Sequence, residues 1–273
     1  MTSQRFEDIR YRTIDGTDLL GRLYRPDTAK PAPFVVDVHG GAWGSGDRMN
    51  NAVIHDDFVR NGIGVFAVDF RLAPAAKYPA PVDDVNYAVR WFKANARRLG
   101  VTPSVIGGLG SSSGAQQMGL VAFRPDDPLY TTPDPALAGV DASVAFFIAC
   151  WPILDPLARY RMAQAGGKQR LVAAHDAYFP DEAAMQRGNP HLVVERGEAT
   201  HKPPTIVIQG TADENVEHAR ADLFAKIYRA AGGKAEVHKF DGQPHTFVTA
   251  SPDADASKQA VAKLRAFVLA QAR

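Results

Sequence analysis

The stretch that most constrains this chain is Gly108-Leu109-Gly110-Ser111-Ser112-Ser113-Gly114. It follows a strand-like run, Pro103-Ser104-Val105-Ile106, and precedes a segment at 115–123 with the pattern of a helix. Gly110-x-Ser112-x-Gly114 fits the nucleophile-elbow pattern, in which a strand turns abruptly into a helix around an exposed serine. Such a turn forces the serine into strained torsions, and side chains two residues before or after it would collide with the adjoining elements. Of the three consecutive serines only Ser112 has glycine at both minus two and plus two, so Ser112 is the expected nucleophile. A plain glycine–serine surface loop carries the same residues, so the weight of the motif comes from what surrounds it.

What surrounds it is an alternation of strand and helix patterns. Phe6 to Ile14 and Leu19 to Tyr24, separated by Asp15-Gly16, predict a hairpin. Phe34-Val35-Val36-Asp37-Val38 has the apolar run of a central buried strand and ends in a glycine-rich loop, His39-Gly40-Gly41-Ala42-Trp43-Gly44-Ser45-Gly46-Asp47. A strand over 64–69 follows. The next helix is announced by Pro81, by Asp83 and Asp84 near its start, and by Arg97, Arg98 and Gly100 as stop signals. After the elbow come a strand at 143–149, an irregular stretch, a strand at 205–209, a helix at 216–231, a strand at 235–240 and a closing helix from about Ser257. This rhythm predicts an α/β fold with a mostly parallel sheet and helices on both faces. At 273 residues one such domain is expected over 1–273, with 151–203 as a small cap inserted over the carboxyl ends of the strands.

Charge and cysteine content narrow the partners. Lys plus Arg number 31 against 30 acidic residues, so no nucleic acid or anionic membrane partner is implied. The single cysteine, Cys150, allows no intrachain disulfide. The polar, mixed-charge amino terminus is unlike an ordinary signal peptide, and the longest apolar run, 142–154, is broken by Pro152 and too short for a bilayer. A soluble, cytoplasmic protein without membrane insertion is expected.

A serine hydroxyl needs a base within hydrogen-bond reach. Among eight histidines, His245 stands directly after the last strand, where a sheet of this type collects its chemistry. His39 is expected to shape the glycine-rich loop. His55, His218 and His238 fall in helix or strand patterns as packed or solvated side chains, and His175, His191 and His201 are expected on the surface of the cap. None has the spacing of a metal site, so no metal is proposed. Asp213, straight after the penultimate strand, is the expected orienting acid, with its neighbour Glu214 kept as a helix-start residue. The chain order Ser112, Asp213, His245 is that of α/β-hydrolases. Backbone amides of the Gly40-Gly41-Ala42 loop and of Ser113 can converge on a developing oxyanion.

His39-Gly40-Gly41-Ala42-Trp43, Asp69-Phe70-Arg71-Leu72-Ala73-Pro74, Tyr78-Pro79-Ala80-Pro81, the elbow, Gly210-x-x-Asp213 and Pro244-His245 together resemble the α/β-hydrolase superfamily over roughly residues 30 to 270. The chain is most similar to bacterial hormone-sensitive-lipase-like carboxylesterases and the neighbouring esterase/arylformamidase group; Ala42-Trp43 looks more like the formamidase and feruloyl-esterase neighbours. The resemblance implies an α/β-hydrolase fold and a triad of Ser112, Asp213 and His245. It also implies oxyanion amides from Gly41, Ala42 and Ser113, and a structural role for Arg71 with Asp83 or Asp84. The expected activity is hydrolysis of small to medium carboxylic esters without a cofactor. Amide, formamide or carbamate hydrolysis by the same triad is the alternative, and a non-catalytic ligand receptor on the same scaffold a remote one. Trp43 is a candidate substrate contact, and a homodimer through the sheet edge or last helix is open to such a fold.

Overall fold

A computed structural model of the chain describes residues 6–28 and 30–272. The first five residues, part of the polar amino terminus read above as unlike a signal peptide, and Ala29 lie outside the described residues. Strands β1 (Phe6–Ile14) and β2 (Thr17–Tyr24) form the expected hairpin. Its turn residues Asp15 and Gly16 both have positive φ, 48° and 76°, the left-handed geometry that matches strand twist. In chain order there follow β3 (Ala32–Val38), α1 (Ala52–Arg60), β4 (Gly64–Val68), α2 (Ala80–Asn95), β5 (Pro103–Ser111), α3 (Ser113–Phe123) and β6 (Phe147–Cys150). Helices α4 (Pro156–Ala165), α5 (Gln169–Tyr178), α6 (Glu182–Arg187) and α7 (Pro190–Glu195) separate β6 from β7 (Thr205–Gly210). The chain closes with α8 (Ala219–Ala230), β8 (Ala235–Phe240), α9 (Phe247–Ala250) and α10 (Asp255–Gln271).

All eight strands join one sheet in the order β1-β2-β4-β3-β5-β6-β7-β8. Only the β1–β2 and β2–β4 pairs are antiparallel. From β4 to β8 every neighbour is parallel, as an alternation of strands and helices requires. Parity along the strands sorts the core into two layers. Phe34, Val36 and Val38 of β3 join Phe66 and Val68 of β4 under α2 and α3, whereas Val35, Val65 and Ala67 join the α1 and α10 side. Successive side chains of a strand point to opposite faces, so a parallel strand covered on both sides is apolar throughout.

Two differences from the sequence pattern have local causes. The strand at 143–149 is regular only over Phe147–Cys150; Ala145 already donates to the Ile106 carbonyl at 2.8 Å, while Ser143 is held outside the sheet by Asp141 and Lys93. The stretch 151–203 contains four short helices with their own buried residues. Three of them start at Asp155, Asp181 and Asn189, whose side chains accept amide hydrogens of the first turn. No helix among the described residues is long and apolar enough to cross a membrane.

Candidate active site

The elbow is built as the glycine spacing requires. Ser112 stands between β5 and α3 with φ 50° and ψ −117°, a costly conformation for a residue with a side chain. A Cβ on Gly110 would lie 2.6 Å from the Cα of Ala115, and one on Gly114 would lie 2.1 Å from the carbonyl oxygen of Val38. Both clashes are with backbone, so neither position tolerates a side chain without moving the helix off the sheet. The amide of Ser112 donates to the carbonyl of Cys150 (2.9 Å), and that of Ile153 donates to the carbonyl of Ser112 (3.0 Å), tying the elbow to the end of β6.

Ser112, Asp213 and His245 come together at the carboxyl ends of β5, β7 and β8. Ser112 Oγ lies 2.9 Å from His245 Nε2, and His245 Nδ1 lies 2.7 Å from Asp213 Oδ2. The carboxylate is fixed on its other side. Gln209 Nε2 donates to Oδ2 at 2.8 Å, while the amides of Asn215 and Val216 donate to Oδ1 at 2.8 and 2.9 Å. Burial alone would raise the Asp213 pKa, but the bonds from His245, Val216 and Gln209 outweigh it and hold the carboxyl below its ordinary value. A carboxylate at His245 Nδ1 leaves Nε2 facing the serine, the tautomer a general base needs.

The glycine-rich loop lies beside the elbow. Gly41, Ala42 and Trp43 all have positive φ, 118°, 51° and 63°. The carbonyl of Gly41 accepts from the amides of Gly44 (3.2 Å) and Ser45 (3.1 Å), and the Trp43 amide donates to Ser113 Oγ at 3.2 Å. Among the described residues the amides of Gly41, Ala42 and Ser113 have no acceptor. His39 packs face to face on Phe70 with ring centroids 4.4 Å apart, and its Nδ1 lies 2.6 Å from the Gly40 carbonyl, so it does shape the loop.

Trp43 does not meet the expectation of a substrate contact. Its side chain is fully buried, stacked on Tyr178 at 4.9 Å, with Nε1 donating to Gln116 Oε1 at 2.9 Å. It fastens α5 to the elbow helix instead. The aromatic ring in the cavity wall is Trp151, directly after β6. The surface placement of His175 and His191 is also corrected. Both are buried, because the inserted helices fold down on Trp43 and α3 and so acquire an interior.

A cavity of about 460 Å³ opens above Ser112. Gly41, Ala42, Trp151 and His245 line it, with Arg159, Arg170, Leu171 and Ala174 from the inserted helices. Beneath it runs a polar cluster that sequence reasoning missed. Asn51 Nδ2 donates to Asp37 Oδ1 (3.0 Å) and Ser111 Oγ (3.1 Å), and His55 Nε2 lies 2.7 Å from Asp37 Oδ2. Asp37 sits inside an apolar run, and only the parity of β3 points it toward α1. Arg71 grips Asp84 through Nε (2.7 Å) and Nη2 (3.0 Å), and Arg12 bridges Asp84 to Asp83, so Asp84 is the partner that holds the loop after β4. Among the described residues no three metal-ligating side chains converge.

The family model of BD-FAE matches residues 22–228. The chain belongs to the BD-FAE family. Relatives similar to this chain are named for ester hydrolysis. Ethyl acetate hydrolase of Pseudomonas putida is 31% identical over 250 residues, 88% of this chain and 75% of that protein. Esterase LipC of Mycobacterium tuberculosis is 29% identical over 232 residues, 81% of this chain. The chain spans about half of LipC, 55% of its length. In fold, this BD-FAE chain is similar to the butyrate-bound esterase Est2 of Thermogutta terrifontis. The TM-score is 0.79 at 24% identity, covering 98% of this chain and 94% of that one. The fold is that of the α/β-hydrolases.

Proposed function

We propose that this chain is a serine hydrolase that cleaves carboxylic esters of small to medium size through an acyl-enzyme. The observation that carries the proposal is the unbroken relay from Ser112 Oγ through His245 to Asp213. His245 Nε2 takes the Ser112 proton as Oγ bonds to the carbonyl carbon, and the carbonyl π pair moves onto its oxygen. The amides of Gly41, Ala42 and Ser113 receive that oxyanion, a reading supported by their lack of any other acceptor. Collapse expels the alcohol, which takes the proton from His245. Water then loses a proton to His245 as it attacks the acyl carbon; the carboxylic acid leaves and the proton returns to Ser112. Asp213 keeps its negative charge throughout, stabilising the imidazolium. Residues 151–203 are read as a cap, supported by the five residues they contribute to the cavity wall. The named activities of the LipC and ethyl acetate hydrolase relatives point the same way.

The test is initial rates on p-nitrophenyl esters of increasing acyl length, an aryl formamide and an aryl carbamate, for wild type and Ser112→Ala. Hydrolysis that peaks on short esters and falls by ~10⁴-fold or more in the variant is expected. A peak on the formamide or carbamate would move the bond cleaved; equal rates for both proteins would end the catalytic assignment.

A further inference from the structure

Arg159 differs from the other buried arginines of this protein. Only 5% of its surface is exposed, and its one sound hydrogen bond runs from Nε to the Asn215 carbonyl at 2.9 Å. Its Nη1 lies 3.5 Å from His175 Nδ1. That nitrogen is 2.8 Å from the Leu171 carbonyl, a contact that requires a hydrogen on Nδ1, so no lone pair remains there for Arg159. By contrast Arg12 binds two carboxylates, and Arg90 has the Asn86 amide oxygen, the Thr132 carbonyl and the face of Tyr87. A buried guanidinium with most of its five donors unmatched is an expensive feature unless something supplies the acceptor.

What Arg159 faces is the cavity above Ser112. Arg170 joins it there, from an exposed position on the next helix, and among the described residues no aspartate or glutamate lines the same space. Asp213, whose charge acts on Arg159, is already engaged by His245, Gln209 and two amides. Each arginine stands in the first turn of its helix, α4 or α5, the end at which the backbone itself is positive. Cations there oppose helix stability, yet both reinforce a field that attracts an anion. Burial, opposed by Asp213 and aided by Arg170, lowers the Arg159 pKa to about 10, so the side chain remains charged at neutral pH. Much of the remaining wall is small and polar, with Ser45, Asn50, Asn51, Thr246 and Thr249, and does not form an apolar tunnel for a long acyl chain.

We propose that Arg159 and Arg170 form an anion-recognising subsite beside the nucleophile, and that the preferred substrates are short esters carrying a carboxylate or phosphate group. The proposal rests on the esterase assignment above and narrows it. Arg159 provides the planar fork that matches an oxyanion in two bonds, and Arg170 adds charge at the mouth.

The full chain is assayed for kcat/KM on two isosteric pairs. p-Nitrophenyl hemisuccinate against p-nitrophenyl 4-methylpentanoate places the charge on the acyl side. 3-Acetoxybenzoate against 3-isopropylphenyl acetate places it on the alcohol side. Wild type is expected to favour the charged member of at least one pair by about tenfold or more, and Arg159→Gln and Arg170→Gln each to lower that ratio by about fivefold or more. Glutarate and inorganic phosphate, tried as competitive inhibitors of neutral-ester hydrolysis, tell a carboxylate subsite from a phosphate one. Equal or reversed preference in both pairs, with neither anion inhibiting, overturns the subsite while leaving the esterase intact. A uniform loss on charged and neutral esters in both variants also overturns it, reducing Arg159 to a prop for the Asn215 loop. Failure to turn over any of the four esters faster than Ser112→Ala brings down the esterase assignment and the subsite with it.

Discussion

Gly41→Ala separates the local strain of a left-handed residue from the chemistry of the loop it sits in. Gly41 has φ 118°, and a Cβ there would lie 1.9 Å from the carbonyl oxygen of Ser45 and 2.6 Å from its carbon. These atoms belong to the same tight turn, in which the Gly41 carbonyl accepts from Gly44 and Ser45. The turn must therefore open. Forbidden torsions cost about 1–3 kcal/mol and a forced backbone shift about as much again, so a loss of about 2–6 kcal/mol is expected. At about 2–4 °C per kcal/mol for a chain of this size, the midpoint should fall by roughly 4–24 °C. Opening the turn should also carry the Gly41 and Ala42 amides away from the proposed oxyanion position. Loss of one such donor raises the barrier by ~3 kcal/mol, or about 10²-fold in kcat. The control is Gly62→Ala. Gly62 also has positive φ, 80°, but nothing lies within 4 Å of its added Cβ, and it precedes the amino end of β4, away from the site. It should lose about 1–2 kcal/mol of stability and keep its kcat. Thermal melts and steady-state kinetics on p-nitrophenyl butyrate, read below both melting points, give the answer. If Gly41→Ala keeps kcat within about threefold of wild type while melting lower, these amides do not hold the oxyanion.

Two further substitutions probe the acid and the tryptophan. Asp213→Asn should lower kcat by ~10⁴-fold by favouring the wrong tautomer of His245. Because the folded Asp213 carboxyl titrates below its ordinary value, its charge stabilises the fold fully above the unfolded pKa of ~3.9 and progressively less as pH falls through the folded value. The difference in melting temperature between wild type and Asp213→Asn should accordingly narrow from pH 6 to pH 3; a gap that widens on acidification contradicts the sign. Trp43→Phe removes the donor to the buried Gln116 oxygen and should cost about 1–3 kcal/mol, read as a lower melting temperature. Since the ring does not line the cavity, the KM ratio of aromatic to aliphatic esters should stay unchanged, and a selective rise for aromatic esters would return Trp43 to the substrate.

What the sequence discloses and what it conceals divide along a physical line. The elbow is legible because its constraints are local and steric: Gly110 and Gly114 exclude side chains from contacts made within a few residues or with the adjacent strand end. Asp213 and His245 are legible because parallel strands deliver their carboxyl ends to one edge, so position after a strand is already position near the site. Trp43 misleads for the same reason. It too follows a strand, but whether a large ring faces the cavity or the core depends on Tyr178 and Gln116, 135 and 73 residues away along the chain. Asp37 is hidden in a different manner. Inside Phe34-Val35-Val36-Asp37-Val38 it is the one charged residue of an apolar run, but nothing in the run names its partners, which appear only when α1 brings Asn51 and His55 against that face of β3. The inserted helices did carry signals, since Asp155-Pro156, Asp181-Glu182 and Asn189-Pro190 are each a capping residue followed by a residue favoured in a first turn. Those signals locate helix starts and say nothing of which face turns inward. Arg159 and Arg170 reach the cavity only through that packing. The proposed triad is thus written in short, stiff segments, whereas the wall of the cavity above it depends on how four short helices settle on them. Two chains with the same elbow can therefore act on different esters, and the residues worth exchanging between them are those of the insertion.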